Sequence, residues 1–213
     1  MIADLLAHPF LALDFVGVAL FAVSGALAAA RLRHDVVTAA AFAILTGMGG
    51  GTLRDVLIGV PVFWVNSGGY LWTCLIAALG VWLVGERPWR TSALTWLDAI
   101  GLAAYAVVGA AKALNAGISP IAAVLMGVLT ATFGGILRDL FAGEPSVLLK
   151  REIYISAAIL AAGAYVGARE LGLDPTIAGV GAFVLGFGLR AGAIGLGWTL
   201  PGFDSGKSGD LKR

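Results

Sequence analysis

The sequence predicts an all-α integral membrane protein, with seven transmembrane helices arranged as two inverted three-helix repeats followed by a seventh helix. Two observations predict this fold class. Hydrophobic residues make up 59% of the chain and charged residues only 13%, whereas soluble domains carry about 25% charged residues. In addition, motifs of the first half of the chain return in the second half at a constant spacing.

Seven apolar segments account for most of the 213 residues. Because about 20 apolar residues cross a bilayer core of about 30 Å, each segment is a candidate transmembrane helix. The breaks between segments fall where charged residues, Pro or Asn collect. The predicted helices comprise residues 10–30, 36–58, 68–85, 95–114, 118–141, 153–168 and 176–198.

The first segment is interpreted as a helix of the mature protein and not as a signal peptide. Residues 1–10 contain no Lys or Arg, whereas a signal peptide begins with a basic region and has a shorter apolar core. At the other end, residues 203–213 are rich in Gly, Ser and charge, which predicts a flexible tail. The single cysteine, Cys74, lies within the third segment and is expected to be a small membrane-facing residue without a redox role.

The distribution of Lys and Arg predicts the orientation in the membrane. One side of the membrane carries nine basic residues in its loops and tail, and the opposite side carries two, Lys112 and Arg169. The nine are Arg31, Arg33, Arg87, Arg90, Lys150, Arg151, Lys207, Lys212 and Arg213. Because cytoplasmic loops are enriched in basic residues, we expect a multi-pass protein of the cell inner membrane, with the N-terminus outside and the C-terminus in the cytoplasm.

An internal repeat is the strongest signal in the sequence. Residues 13–26 share eight of fourteen identities with residues 97–110. Further along, Gly-Gly-x-Leu-Arg-Asp occurs at residues 50–55 and again at 134–139 without any gap in the alignment. An Ala- and Gly-rich composition produces chance matches, but it does not produce a repeated Arg-Asp pair, and the sequence therefore indicates a duplication.

Each repeat contains three helices, an odd number, so the second copy enters the membrane from the opposite side. The predicted units are a first repeat over residues 10–90, a second over 94–170, a seventh helix over 174–200 and a tail over 203–213. Inverted repeats of this kind place a pathway or binding site near their mutual interface.

Glycine runs mark the candidate ion pathway. They occur at Gly49, Gly50 and Gly51 in the second helix and at Gly134 and Gly135 in the fifth. Glycine costs about 1 kcal/mol in a helix interior, so these runs predict a break whose free carbonyl groups coordinate cations. The alternative is close helix packing through small residues, which is the interpretation preferred for most of the other glycines.

Charged residues within the spans are expected to support the pathway. Arg54 and Asp55 end the second helix, and together they cost about 5–7 kcal/mol near the centre of a bilayer, so they are expected to face protein or water. The alternative places them at the membrane interface, with their charged groups extended to water. The inversion places Asp14 on the side of Arg54, and Asp98 on the side of Arg138. We therefore expect two pairs, Asp14–Arg54 and Asp98–Arg138. Whether Asp55 and Asp139 face the pathway stays open at this point.

Two further basic residues lie near the ends of predicted helices. Lys112 is interpreted either as an interfacial residue that extends its ammonium to water or as a voltage- or lipid-sensing residue. Arg190 has no counterpart in a repeat, and we expect it to hold the seventh helix to the bundle.

Other classes of function find no support in the sequence. There is no nucleophile with a neighbouring base and no phosphate-binding loop, so we predict no enzyme, no catalytic residue and no cofactor. His8 and His34 stand alone without a second ligand at metal spacing, so no metal site is predicted. The net charge of +1 provides no basic surface for a nucleic acid.

The doubled Gly-Gly-x-Leu-Arg-Asp motif, within two inverted three-helix repeats and a seventh helix, resembles the prokaryotic branch of the trimeric intracellular cation (TRIC) channels. The resemblance implies a homotrimer with one pore through each protomer, lined by kinked helices two and five and conducting monovalent cations, chiefly potassium. The motif positions are Gly50, Gly51, Arg54, Asp55, Gly134, Gly135, Arg138 and Asp139. Animal members carry Lys-Glu-Val in the second span, where this chain has Gly49–Gly51.

Three functions are compared on this basis. The first is a passive cation channel, with monovalent cations, membrane lipids and further copies of the chain as partners. The second is a small-solute secondary carrier built on the same repeats, since some bacterial relatives are described as glycine transporters. The third, a scaffold without transport activity, is disfavoured by the duplicated charges within the membrane. The sequence does not separate the first two, because glycine-rich helices serve both.

Overall fold

Seven α-helices form from the seven apolar segments in the computed structural model, which describes residues 9–85, 91–149 and 152–200. A short 3-10 helix, Val147–Leu149, lies between the fifth and sixth. The helices are α1 (Pro9–Arg31), α2 (Val36–Ile58), α3 (Gly69–Val84), α4 (Thr91–Asn115), α5 (Pro120–Ala142), α6 (Ile155–Glu170) and α7 (Pro175–Leu196).

The helix ends follow from local sequence signals. Asp35 caps the start of α2, because its carboxylate accepts a hydrogen bond of 2.8 Å from the Thr38 backbone N–H. The same hydrogen bond lowers the pKa of Asp35. Helices α2 and α5 both end at a glycine in the left-handed region, Gly59 with φ 73° and Gly143 with φ 67°. Such a conformation suits glycine, which has no Cβ to clash with the turn.

The central pair of the bundle is α1 and α4. Helix α1 packs against α2, α3 and α4, and α4 in turn packs against α5, α6 and α7. Every residue from 101 to 111 in α4 is buried. A helix that is buried on all sides lies in the interior of the bundle, whereas a surface helix exposes one face. Helices α2 and α5 also pack against each other, so these two helix pairs form the main contacts between the two halves of the chain.

The outer faces of the bundle are apolar, as a lipid environment requires. Trp72, Ile76 and Leu83 on α3, and Ile177 and Val180 on α7, are all more than half exposed. Five of the described helices are long and apolar enough to cross a membrane. Helices α3 and α6 have 16 residues each, or about 24 Å at 1.5 Å per residue. The predicted fold class is confirmed.

The predicted helix bounds agree with the structure to within a few residues. Helix α2 begins and ends at the expected residues. The largest difference is the start of α4, which begins at Thr91 and not at residue 95. The boundaries assigned to the two repeats stay predictions. The predicted tail, residues 203–213, lies outside the described residues. The expectation that Cys74 faces the membrane is wrong, because its side chain is buried in the core of the bundle against α2.

The predicted breaks in α2 and α5 are wrong. The α-helix continues through Gly49–Gly51 and through Gly134 and Gly135 without interruption. A continuous helix pairs each backbone group within its own hydrogen-bond ladder, and an unpaired group is costly in lipid. The unfavourable helix propensity of glycine is offset by close packing, because α2 and α5 contact each other at Gly50 and Gly134.

Candidate functional site

Helices α2 and α5 cross at equivalent glycines of the two repeats. A Cβ atom on Gly50 would overlap the carbonyl oxygen of Thr130, and a Cβ atom on Gly134 would overlap that of Thr46. The two contacts are reciprocal, since Gly134 and Thr130 follow Gly50 and Thr46 by the same spacing. Both threonines are buried, and the Thr46 hydroxyl has no hydrogen-bond partner in the protein. The crossing therefore brings the two backbones into direct contact.

The neighbouring glycines face side chains and not backbone. A Cβ atom on Gly49 would lie 2.7 Å from Leu137 Cδ1, and one on Gly51 would lie 2.7 Å from Phe63 Cε1. Beside Gly49, an open groove of about 410 Å³ runs between α2 and α5. Its lining includes Ile44, Met48 and Phe133, so the groove is apolar.

A first group of charges lies at the end of α2, and we name it the Arg54 cluster: Asp14, Arg54, Asp55, Tyr70 and Lys112. Asp55 is fully buried, and its Oδ1 accepts a hydrogen bond of 2.8 Å from Nε of Arg54 and lies 2.8 Å from NH2 of the same guanidinium in an ion pair. Burying an unpaired carboxylate has a high free-energy cost. Asp55 can therefore lie in the protein interior only because Arg54 pairs with it.

The second oxygen of Asp55 has two further partners. Its Oδ2 accepts from the backbone N–H of Phe63 at 2.9 Å and from the ammonium of Lys112 at 2.8 Å. The Lys112 side chain is 35% exposed, and its Nζ lies 5.5 Å from the centre of the Phe63 ring. The Lys112 ammonium therefore binds a buried carboxylate. The interpretation of Lys112 as an interfacial residue that extends its ammonium to water does not describe this contact. Its role in voltage or lipid sensing stays a prediction.

A second group of charges lies at the end of α5, and we name it the Arg138 cluster: Ser24, Asp98, Arg138, Asp139 and Tyr154. Arg138 NH1 donates to Asp98 Oδ1 and to Ser24 Oγ, both at 2.6 Å. Its Nε donates to Asp139 Oδ1 at 3.0 Å, and its NH2 lies 2.9 Å from the same oxygen in an ion pair. The expected Asp98–Arg138 pair is therefore present.

The expected Asp14–Arg54 pair does not form a direct contact. Asp14 Oδ2 accepts a hydrogen bond of 2.9 Å from the Tyr70 hydroxyl. Its other oxygen, Oδ1, and the NH1 group of Arg54 are both buried without a hydrogen-bond partner in the protein. The charge of Arg54 still acts on Asp14, but the guanidinium bonds Asp55. This is a correction to the pairing expected from the inversion.

An ion pair between Arg190 and Glu152 lies near the Arg138 cluster. Arg190 of α7 donates to Glu152 Oε2 at 2.7 Å and to the Ile153 carbonyl at 3.2 Å. These contacts agree with the expectation that Arg190 holds α7 to the bundle. Glu152 was not predicted as a partner, because it lies in a loop outside the repeated motifs, where neither periodicity nor spacing distinguishes it.

Two small cavities adjoin the Arg138 cluster. One of about 60 Å³ and one of about 100 Å³ are both lined by Leu94, Arg138, Asp139 and Glu144. The larger cavity also reaches Glu152 and Arg190. Carboxylates thus face small polar spaces at this end of the molecule, whereas the groove at the crossing is apolar.

Comparison with protein families places the chain among membrane transport proteins. The family model described as "Glycine transporter" matches residues 11–86 and again residues 95–170. The UPF0126 membrane protein of Vibrio cholerae is 38% identical over 90% of this chain and 81% of its own length. The UPF0126 membrane protein YvgT of Bacillus subtilis is 38% identical over 89% of this chain and 94% of its own length.

Solved structures show the same fold. The TRIC trimeric intracellular cation channel orthologue from Rhodobacter sphaeroides is 43% identical, with a TM-score of 0.86 over 89% of this chain and 98% of that one. A second TRIC cation channel structure is 30% identical, with a TM-score of 0.81 over 89% of this chain and 95% of that one. With the doubled motif and its two charge clusters, these matches show that the chain belongs to the prokaryotic TRIC channel family.

Proposed function

We propose that this protein is a monovalent cation channel, conducting chiefly potassium, with one pore through each protomer of a homotrimer. The observation that carries the proposal is the 43% identity to the TRIC orthologue of Rhodobacter sphaeroides, which extends over 98% of that chain. That relative is an orthologue of the trimeric intracellular cation channels.

The charges at the two helix ends support passage of cations. In each cluster the arginine is bound to a neighbouring aspartate, so it does not present a free positive charge to an approaching cation. The Arg138 cluster contains two carboxylates for one guanidinium, since Asp98 and Asp139 share Arg138. The local excess of carboxylate over guanidinium charge within this cluster attracts cations and repels anions.

The proposed pathway follows α2 and α5 between the two clusters. The backbone contact at Gly50 and Gly134 leaves no room for an ion at that point, so the crossing is the proposed closed gate. Opening requires α2 and α5 to separate there. The unpartnered Thr46 hydroxyl at the crossing would then become available to a passing cation, together with the carbonyl groups of Thr46 and Thr130.

Recording in planar bilayers tests the proposal. The purified protein is expected to produce discrete unitary currents in KCl, with a reversal potential that follows the potassium gradient. Asp139→Asn is expected to reduce the selectivity for cations over chloride, and Asp55→Asn is the equivalent change in the first repeat. If the folded protein produces no unitary current in any voltage range, the channel proposal is wrong.

A small-solute carrier, for example of glycine, is the second candidate, and the "Glycine transporter" description of the family model favours it. A carrier moves its substrate by rocking one repeat against the other, so its rate is set by a conformational cycle. It would show saturable glycine uptake into proteoliposomes without unitary currents. Potassium flux without glycine uptake would exclude it.

Assembly and location complete the proposal. The exposed apolar faces of the bundle are available both to membrane lipids and to further copies of the chain, and we place the homotrimer contacts there. The relative YadS of Escherichia coli, 40% identical over 70% of this chain and 73% of its own length, is described as an inner membrane protein. We place this chain in the cell inner membrane, with its N-terminus outside and its C-terminus in the cytoplasm.

A further inference from the structure

Each charge cluster contains one buried tyrosine, and the two tyrosines, Tyr70 and Tyr154, occupy equivalent positions of the two repeats. The Tyr70 hydroxyl donates a hydrogen bond to Asp14. The Tyr154 hydroxyl lies beside Asp98, because a Cβ atom on Gly135 would lie 2.9 Å from the hydroxyl oxygen and 3.5 Å from Asp98 Oδ1. Each tyrosine therefore brings its hydroxyl to the aspartate of its own cluster.

Two aromatic rings hold Tyr70 in the first repeat. The Phe15 ring stacks on the Tyr70 ring with 4.1 Å between the centroids, and the Phe63 ring meets it edge to face at 4.6 Å. The equivalent residues of the second repeat are Ala99 and Val147, which have no ring to stack. The second repeat therefore needs another way to hold its tyrosine.

A guanidinium group of α7 lies against the tyrosine of the second repeat. The Cζ atom of Arg190 is 5.3 Å from the centre of the Tyr154 ring, within the range of a cation–π contact. The same guanidinium binds the Glu152 carboxylate and the Ile153 carbonyl oxygen, so it contacts three consecutive residues just before α6. Arg190 is only 4% exposed, and a cation–π contact is stronger when water is excluded.

We propose that Arg190 is a positioning residue of the Arg138 cluster. Its guanidinium fixes the Tyr154 ring beside Asp98, in place of the aromatic rings that hold the equivalent tyrosine of the first repeat. The proposal rests on the proposed function, since the Arg138 cluster is one end of the proposed pathway. The seventh helix, which belongs to neither repeat, then does more than complete the bundle, because it determines the arrangement of that end.

The first test measures whether an aromatic ring can replace the guanidinium. Ala99, which is fully buried, is changed to Phe in the wild type and in Arg190→Ala, and thermal unfolding is followed in detergent. In the wild type, Ala99→Phe is expected to lower the unfolding midpoint, because the space is already filled. In Arg190→Ala it is expected to raise the midpoint, because the new ring packs against Tyr154 in the vacated space. A lower midpoint in both backgrounds would overturn the proposal.

The second test observes the Tyr154 ring directly. The chain has four tyrosines, so isotopic labelling of the tyrosine Cζ carbon gives a simple NMR spectrum, and Tyr154→Phe identifies the signal of interest. Arg190→Gln keeps hydrogen-bonding groups for Glu152 and Ile153 but has no charge over the ring. This variant is expected to displace and broaden the Tyr154 signal and to leave the Tyr70 signal unchanged.

Glu152→Gln is the matched control for the NMR measurement. It removes the ion pair between α7 and the loop before α6, but it leaves the guanidinium over the Tyr154 ring. The Tyr154 signal is therefore expected to stay near its wild-type position. A wild-type signal in Arg190→Gln, or an equal displacement in both variants, would show that Arg190 only anchors α7.

Recording in planar bilayers separates positioning from a simple effect of charge. Removing a positive charge near the carboxylates of the cluster would by itself favour cations over chloride. Loss of the Tyr154 position is expected to have the opposite effect, because Asp98 then holds the Arg138 guanidinium less firmly and its charge becomes available to chloride. Arg190→Gln is therefore expected to move the reversal potential in a KCl gradient toward that of chloride. No shift, or a shift toward that of potassium, contradicts the positioning role.

The positioning role and the channel function can fail separately. Unitary currents from the wild type, with a Tyr154 signal that does not respond to Arg190→Gln, would leave the channel proposal intact and refute the positioning role. The absence of unitary currents from the wild type would refute the channel. In that case, opposite effects of Ala99→Phe in the two backgrounds and a displaced Tyr154 signal would still support Arg190 as the residue that positions Tyr154.

Discussion

The arginines of the repeated motif differ in how completely their hydrogen bonds are satisfied. Arg138 uses Nε, NH1 and NH2, whereas NH1 of Arg54 is buried without a partner. One source of the difference is Ser24, whose hydroxyl accepts from Arg138 NH1 and whose counterpart in the second repeat is Val108. The orientation of a buried guanidinium thus depends on single residues.

Ser24→Ala is expected to lower the free energy of unfolding by about 1.5–3 kcal/mol, the range for hydrogen bonds to charged groups. The matched control is Ser156→Ala, because the Ser156 hydroxyl is buried without a hydrogen-bond partner in the protein. That variant is expected to stay within about 0.5 kcal/mol of the wild type. Denaturant titration in mixed micelles measures both, and equal effects of the two substitutions would contradict the assigned bond.

Lys112→Met is expected to lower the free energy of unfolding by about 1–3 kcal/mol, because it leaves Asp55 with fewer partners. The lower part of this range is expected, since the lysine side chain is 35% exposed. A double-mutant cycle with Asp55→Asn measures the coupling, which we expect to be about 0.5–3 kcal/mol. A coupling near zero would mean that the ion pair contributes nothing to stability.

Pairing of residues could be predicted only where the symmetry of the repeats determines it. Asp98 and Arg138 lie on the same side of the membrane by inversion, and their ion pair was expected on that ground. The contact of Lys112 with Asp55 depends on how α4 is rotated about its axis, which an uninterrupted apolar sequence does not reveal. Asp14 faces Tyr70, and a competing hydroxyl of this kind leaves no trace in the charge pattern.

At the scale of the helices, glycine has two distinct roles that look alike in the sequence. Gly134 lies in backbone contact with Thr46, whereas nothing lies within 4 Å of the position that a Cβ atom would take on Gly163. Both residues are within helices, α5 and α6 respectively. Only the first is required by packing.

Gly134→Ala is therefore expected to lower the free energy of unfolding by about 1–3 kcal/mol, since the added methyl forces α2 and α5 apart. Gly163→Ala is expected to raise it by up to about 1 kcal/mol, because alanine has the better helix propensity. The same denaturant titration compares the two. Stabilisation by both substitutions would show that the crossing tolerates a side chain.

Helix existence and helix ends were largely predictable, because apolar length, capping residues and glycines at the C-terminal ends are local signals. The predicted breaks at the glycine runs failed for a non-local reason. Helix propensity describes an isolated helix, whereas the contact between Gly50 and Thr130 stabilises the regular helix from outside. The glycine runs were compatible with a broken helix and with a closely packed continuous helix. The contact with the neighbouring helix, which the local sequence does not reveal, favours the continuous one.

At the scale of the whole molecule, the basic loops predict the orientation. Asn115 is the last residue of α4, at the end expected outside, and His34 lies in the Arg-rich loop expected inside; both are exposed. In a Cys74→Ala background, Asn115→Cys is expected to react with an impermeant maleimide on intact cells, and His34→Cys only after the membrane is opened. The reverse pattern would contradict the proposed orientation.

The membrane-protein class and the internal duplication were predictable from the sequence, because the apolar composition and the repeated motifs extend over most of the chain. The oligomeric state could not be predicted in the same way. Lipid-facing and subunit-facing surfaces are both apolar, so the exposed residues of α3 and α7 do not distinguish lipid contacts from protomer contacts. For that reason the homotrimer rests on the TRIC relatives and not on the residues of this chain.

The most direct test of the central claim is recording from the purified protein in planar bilayers with a potassium gradient. The account predicts discrete unitary currents that reverse near the potassium equilibrium potential, because a continuous pore passes many ions in each open period. It further predicts that Asp139→Asn moves the reversal potential toward that of chloride. A folded protein without unitary currents that accumulates glycine in proteoliposomes to saturation would contradict the channel and establish a carrier.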